Sequence, residues 1–416
     1  MTAPAKKVLF ISYDGMTDPL GQSQVIPYLQ GLSKNGYQIW LLSCEKKEAY
    51  QQNKEIVINL LKDYNINWVH KSYTKNPPAL STWIDIQKLK KTARKIHEKH
   101  GIDMVHTRPG VPALVGLWMK KKLGVKFLHD IREFYAASRV EGGMWKLNNP
   151  VFSNIYKFFL KKEKEEIEQS DGLVTLTYAA EKIVKQLPEY KTSIPLEVIP
   201  CSADIELFNP VKYNVDHKTK LRRQLGIGKN DFVVSYLGSI GGWYMVAEMM
   251  AFFKLLMEKK PETKFLFISP HRHDTIVLTA SKFGIPENVV ITKKAARKEV
   301  PEYLSLSDYS IFFIKPCYSK QSSSPTKHGE IMAMGIPLIT NSGVGDVEEI
   351  VNRYQSGIVL HEFNDEAYSK AIDRIMSGEH YDAEKIKAGA KEFYSLDNAI
   401  VKYNKIYSEV LCPKNI

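Results

Sequence analysis

The chain is poor in cysteine, lacks a long uninterrupted apolar run and has no Asp-x-Asp pair, and each shortage removes a class of protein. Four cysteines, at 44, 201, 317 and 412, show neither CxxC spacing nor the density of a disulfide scaffold, so structural thiols in a reducing compartment are expected. The nearest approach to a membrane span, Val233 to Met257, is interrupted by Gly238, Gly241, Gly242, Glu248 and Lys254, which suits strand, loop and helix instead. Met1 to Lys7 run straight into an expected strand at Val8–Ser12, leaving no room for the apolar core of a signal peptide; a cytoplasmic location is expected. Without Asp-x-Asp or a His/Cys cluster of zinc spacing, no metal and no cofactor are expected. Gly-x-Ser-x-Gly, the P-loop, solenoid repeats and low-complexity tracts are also missing.

What is present is a soluble globular composition with 44% hydrophobic and 25% charged residues and a formal charge of +12. That charge suits a nucleoside diphosphate, an anionic membrane surface or nucleic acid, and the want of interleaved aromatic and basic motifs puts nucleic acid last. At 416 residues the chain is too long for one ordinary core and suits two domains. Short β-rich runs alternate with helical patterns at Val8–Ser12, Gln38–Ser43, Met104–Thr107, Lys126–His129, Gly172–Thr177 and Glu197–Ile199. After a Pro-bounded connector from Pro200 to Pro210 a second series follows: Phe232–Leu237, Lys264–Ser269, Val289–Ile291, Tyr309–Ile314, Pro337–Thr340 and Gly357–Leu360. Such alternation predicts an α/β protein with two parallel-sheet, Rossmann-like halves, their ligands held outside the carboxyl ends of the strands in a cleft between them.

The segment from Ser322 to Pro337 carries the most chemistry. Ser324 suits an N-cap and Pro325 the first helical position, so unpaired N–H groups and the positive helix end would face an anion such as a diphosphate. Lys327 and Glu330, three apart, share a helix face, placing an ammonium near phosphates and a carboxylate near two sugar hydroxyls. Gly335 and Pro337 end the helix, and the pattern points to a nucleotide-sugar donor.

Ser-Pro-Thr-Lys-x-x-Glu followed by Ala-x-Gly-x-Pro resembles the donor signature of retaining glycosyltransferases of family 4, which have the two-domain GT-B fold. The usual form has two glutamates eight apart, and counting back from Glu330 reaches Ser322, so this chain resembles a branch with a Ser/Lys-rich segment, Ser319 to Ser324, in place of the first carboxylate. Tyr236 to Tyr244 resembles the glycine-rich loop opening the donor domain, and Ile199 to Pro210 the interdomain segment. Asp130 to Phe134 with Arg139 to Trp145 resembles an acceptor-side loop, although Ala137 and Ser138 stand where acids are expected. The resemblance implies an acceptor-side domain over residues 1–205, a donor domain over 206–395, and a last helix, about Leu396 to Leu411, returning from 396–416 to the first domain. It also implies transfer with retention to a sugar or lipid-linked glycan, in assembly of a surface polysaccharide or lipid-linked oligosaccharide at the inner membrane face.

Donor contacts are expected from Gly238, Gly241, Gly242, Lys320, Ser322, Ser323, Ser324, Thr326, Lys327 and Glu330. Lys315, Arg272 and Arg297 are further cations, needed because the arginine and lysine that many members place after the Gly238 strand are missing. Gly238-Ser239-Ile240-Gly241-Gly242 fits a diphosphate better than a dinucleotide, since the next strand ends at Ser269-Pro270-His271 without the acid that binds a ribose hydroxyl. The loop Tyr13 to Gln24, with Asp14, Gly15, Gly21, Gln22 and Gln24, permits close approach to a diphosphate or acceptor, or is an ordinary long turn. At strand ends, His129, Asp130 and Arg108 are candidates for the reacting centre, with Arg132 and Arg139 beside the acceptor; Asp130 with Arg132 alternatively only orders the loop. Ile155 to Lys164 mixes aromatics and lysines, as a membrane or lipid contact or as a helix packed on its own domain. The expected activity is a metal-independent, retaining glycosyltransferase using a UDP- or GDP-sugar, with Asp130, His129 and Lys327 catalytic; a GT-B sugar-nucleotide epimerase and, further off, a dinucleotide-dependent oxidoreductase stay open.

Overall fold

Apolar runs four to eight residues long, rich in Val, Ile, Leu and Phe, become strands buried on both faces, as parallel sheets clothed by helices demand. The structure, a computed structural model, describes residues 5–77, 80–270 and 273–412; Arg272 and His271 lie outside the described residues. It divides into two units, Met1–Pro200 with Leu396–Ile416, and Cys201–Ser395.

The first unit holds β1 (Lys7–Ser12), β2 (Gln38–Glu45), β3 (Ile66–Ser72), β4 (Met104–Thr107), β5 (Lys126–Ile131), β6 (Gly172–Thr175) and β7 (Leu196–Val198). They lie in the order β3-β2-β1-β4-β5-β6-β7, every pairing parallel. The second holds β8 (Phe232–Leu237), β9 (Thr263–Ile268), β10 (Val290–Lys293), β11 (Tyr309–Ile311), β12 (Leu338–Asn341) and β13 (Gly357–Leu360), ordered β10-β9-β8-β11-β12-β13 and again all parallel. In each sheet the direction of winding reverses beside the first strand, between β1 and β4 and between β8 and β11. That is where doubly wound sheets bind ligands, so topology singles out the loops after those four strands.

Two expectations need correcting. The first unit has a strand that the sequence pattern did not disclose, β3, because it is a half-exposed edge whose Asn67, His70 and Lys71 dilute the apolar signal. The border lies at Pro200/Cys201, not after residue 205. Ala203 bridges Ser395 and sits with Phe208 in the second core, so the connector is committed to that unit five residues earlier than its composition suggested.

The helix Leu396–Leu411 lies in the first unit, burying Ala399, Tyr403, Ile406, Tyr407 and Val410. Its Ile400 fills the space a side chain on Gly31 would take, with Cδ1 only 2.3 Å from where a Cβ would stand. Burial of such side chains contributes about 1.5–3 kcal/mol each, enough to anchor a terminal helix. Among the described residues no helix is long and apolar enough to cross a membrane.

Candidate active site

In the second unit the helix expected to start at Pro325 begins one residue later, at Thr326, with Pro325 as its cap residue. Pro325 has an extended ψ of 115°, and the Ser324 hydroxyl accepts from the Cys201 N–H at 3.2 Å, so it does not cap the helix. The other end is as expected: Gly335 adopts φ +69°, while its N–H and that of Ile336 donate back to Met332 and Ile331.

Lys327 is the unusual group. Its side chain is buried, with 7% of the residue exposed, yet no carboxylate of the described residues lies within ion-pair distance. Its Nζ instead donates to the Tyr236 hydroxyl at 3.3 Å and stands 3.7 Å from the Tyr244 ring centre and 4.4 Å from that of Tyr236. Burial drives its pKa down to about 7, against the weaker upward pull of Glu330. The ring faces hold a cation without cancelling its charge. Lys320 Nζ lies 3.8 Å from the Trp243 ring centre. Trp243 and Tyr244 belong to the stretch that follows the glycine loop after β8, and Tyr236 lies on β8 itself.

Gly238, Gly241 and Gly242 have φ values of +121°, +87° and +65°, a region that side chains strain against, so this turn needs its glycines. A Cβ on Gly238 would stand 2.7 Å from Lys327 Nζ, which shows how closely the ammonium approaches the loop. The loop is tied to the strand beyond the switch point, with Met245 N–H donating to Phe313 and Lys315 N–H to Trp243. Ser322 is buried and donates to the Ser319 carbonyl at 2.8 Å, the Ser323 N–H donates to the Lys320 carbonyl, and Thr326 is half-buried at the helix start. Lys315 is exposed.

Glu330 is held by Arg297, which donates to its Oε1 at 2.7 Å. Trp243, Tyr244 and Asn341, whose side-chain amide pairs with both the N–H and the carbonyl of Ile314, were not anticipated. Aromatics adjoining a glycine loop were the available signal for the first two.

In the first unit the loop after β1 is pinned by Glu45 at the end of β2, which accepts from Met16 N–H at 2.8 Å, Thr17 N–H at 3.1 Å and the Ser43 hydroxyl. Gly21 is required by the chain itself, since a Cβ there would stand 2.3 Å from the Gly15 carbonyl oxygen. The glycines thus let the loop close on itself. Asp14 is exposed, Gln22 reaches the Thr17 carbonyl at 3.4 Å, and buried Gln24 accepts from the Tyr28 hydroxyl and, through its carbonyl, from Arg108.

His129 and Asp130 do not share a site. Neighbours on a strand point to opposite faces. His129 faces Glu166 at 3.8 Å, and burial lowers its pKa to about 4. Asp130 points to the other face, accepting from Tyr403 at 2.8 Å and lying 3.5 Å from both His106 and Arg132. Burial alone would raise its pKa, but Arg132, His106 and Arg108 outweigh that and hold the carboxyl below the usual range. Asp130 is 1% exposed, so the Asp130–Arg132 pair orders this end of the sheet. Arg139 is engaged by Glu133 through two hydrogen bonds, at 3.3 and 3.0 Å. His106 and Tyr403, central to this cluster, were missed, because Tyr403 arrives from the far end of the chain.

Residues 217–393 match the family model of glycosyl transferases group 1. The chain is 22% identical over 288 residues to D-inositol 3-phosphate glycosyltransferase of Segniliparus rotundus, a match covering 68% of this chain and 60% of that relative's length. In fold it is similar to a glycosyltransferase from Rickettsia africae, with TM-score 0.73 and 15% identity over 99% of this chain and 100% of that one. Anabaena HepE, solved in complex with UDP and glucose, gives TM-score 0.69 at 13% identity over 97% and 100% of the two chains. The fold expected from the sequence, two parallel-sheet Rossmann-like units as in GT-B glycosyltransferases, is the one observed.

Proposed function

We propose that this chain, whose second unit carries the match to glycosyl transferases group 1, transfers a sugar from a UDP- or GDP-sugar to a hydroxyl of a sugar or lipid-linked glycan acceptor, with retention and without a metal. The observation that carries the reading is the buried, ring-held Lys327, aimed at the φ-positive Gly238 turn at the sheet's switch point. A cation kept in a dry site with no carboxylate neutralising it is arranged for an anion that arrives later.

Departure of a diphosphate leaves charge that fixed dipoles and cations must meet. Lys327 and Lys320 would receive the phosphates, the first-turn N–H groups from Thr326 would add donors, and the Gly238–Gly242 turn would let them approach the backbone. Glu330, steadied by Arg297, would meet the ribose. In the first unit, Asp14 and Gln22 are the accessible candidates for acceptor contact, while Asp130, Arg108 and Arg132 position that region from beneath. A cytoplasmic location, peripheral to a membrane, fits a lipid-linked acceptor and the basic charge.

The test is a thermal-shift panel of UDP, GDP, ADP, CMP and NAD, with and without Mg²⁺, because a ligand of the folded state raises the melting point by mass action. One nucleoside diphosphate is expected to stabilise without Mg²⁺; stabilisation by NAD alone would overturn the reading. Product analysis with the matching nucleotide-sugar then separates transfer from epimerisation. Gly238→Ala adds a methyl where φ is +121° and the ammonium is 2.7 Å away. It is expected to cost about 1–3 kcal/mol of stability through backbone strain. It should also weaken the same nucleotide at least about tenfold in calorimetric titration, the equivalent of about 1.4 kcal/mol.

A further inference from the structure

The second sheet ends at β13, and among the described residues no strand pairs with its outer side. The Ser356 carbonyl accepts from the Leu338 N–H at 2.8 Å and the Leu360 carbonyl from that of Ser342 at 2.9 Å, both toward β12. Backbone direction alternates along a strand, so the N–H and C=O of Gly357, Val359 and His361 face outward. An unpaired edge invites another strand, and natural sheets guard such edges with charge. The other edge strands follow that rule: β3 carries Lys71, β7 carries Glu197 and β10 carries Lys293. β13 is Gly-Ile-Val-Leu, with neither charge nor proline, and its Val359 is only partly covered by the second unit's core.

A groove of about 440 Å³ runs beside this edge, walled by Ile358 to Glu362 and by the helix Asp365–Met376. The helix lines it with Glu366, Ala367, Lys370, Ala371 and Arg374, one stripe at helical spacing. The alanines keep the middle of the stripe shallow, so an added strand meets no bulky side chain there. A short connection turns the helix back along the strand, which sorts the charges. Glu362 and Glu366 stand where β13 finishes; Lys370 and Arg374 lie toward the end where it begins. Glu366 and Lys370 pair within the helix at 2.6 Å, but their side chains are 77% and 75% exposed. A pair so exposed contributes at most about 1 kcal/mol, which leaves both charges free to answer a partner.

We propose that a second copy of this chain occupies the edge, β13 pairing antiparallel with its own counterpart about a twofold axis at Val359. That axis sets Val359 against the same residue of the other copy and Gly357 against His361, each pair exchanging N–H and C=O, so that the two sheets become one. The same rotation lays the two helices side by side and antiparallel, and the acids of each meet the bases of the other. Parallel pairing would set like charge against like, and an unrelated strand would satisfy the backbone without matching both charged ends. Closure as a dimer also removes the unguarded edge. The interface belongs to the last strand of the second sheet and the helix after it, and does not rest on the reading of the nucleotide site.

The experiment is analytical ultracentrifugation of the full chain from nanomolar to high micromolar concentration. A monomer–dimer equilibrium that stops at twice the mass of the chain is expected. Glu362→Lys/Glu366→Lys and Lys370→Glu/Arg374→Glu each place like charges across the axis, and each should weaken self-association at least about 100-fold. Mixed in equal amounts, the two variants should pair with each other, a recovery that also shows both to be folded. Val359→Pro removes the central outward N–H at a position where an edge strand tolerates proline, and should weaken the dimer at least about tenfold. A chain that stays monomeric, association that grows past the dimer, self-association of either charge variant at the parent's strength, no pairing on mixing, or a dimer unmoved by Val359→Pro would each overturn the proposal.

Discussion

Replacing Lys327 with Met is expected to raise the melting temperature of the free protein and, at the same stroke, to erase its response to nucleoside diphosphate. Burial, partly opposed by Glu330, holds the ammonium pKa down at about 7, whereas an unfolded chain titrates it at about 10.4. Between those values the unfolded state holds more protons than the folded one, so this residue makes stability rise with pH from about 7 to about 10. At neutral pH Lys327 therefore costs stability, of order 4 kcal/mol at 1.36 kcal/mol per unit. Met, similar in length and at home beside Tyr236 and Tyr244, removes that cost without opening a cavity. The advantage of the Met variant should shrink as pH climbs from 7 to 10, measured by melting at each pH.

Diphosphate binding has the opposite sign. An arriving anion favours the charged amine, so binding takes up a proton and affinity should fall as pH rises above 7. Turnover in the Met variant should drop by at least about 10²-fold, the usual effect of removing a preorganised stabiliser of a leaving group. A variant that melts like the parent and still responds to the nucleotide would sink the assignment of Lys327.

The second large effect is expected at Asp130, and it is structural. Asp130→Ala leaves Arg108 and Arg132 buried in the same cluster without the carboxylate that balances them, and strips Tyr403 of its acceptor. Removing one partner of a buried ionic group costs about 3–5 kcal/mol. In a unit of this size each kcal/mol is worth about 2–4 °C, so the first melting transition should fall by roughly ten degrees. The pH dependence follows from the depressed folded pKa of Asp130, set by burial that raises it and by Arg132, His106 and Arg108, which win. Its contribution is full above the ordinary carboxylate range and fades as pH falls below about 4. Parent and variant should therefore converge in acid. Equal stability at neutral pH would show that the cluster is not balanced in this way.

Much of this was legible beforehand because its signal is local. Twelve of the thirteen strands among the described residues could be read from short apolar runs, and the second unit's helix start and glycine turn from Pro325, Lys327 and the glycines at 238, 241 and 242. The exceptions follow a rule: what is decided by distant partners leaves no local mark. Ser324 looks like a cap, and became an acceptor for Cys201. His129 and Asp130 were grouped because both stand at a strand end, yet the alternation of a strand sends them to opposite faces. Glu45, at the end of β2, gave no hint that it would hold Met16 and Thr17.

Periodicity, glycine placement and composition were thus sufficient for the class of fold, for the strand order's ingredients and for a cationic helix start, because they act over a few residues of backbone. Tertiary structure alone decided which charges are answered. It gave Glu330 to Arg297, Asp130 to Arg132 and Tyr403, and left Lys327 against ring faces. A lysine in sequence is only a positive charge; its dryness and its neighbours, set by elements far along the chain, determine whether that charge is spent within the fold or kept for a ligand.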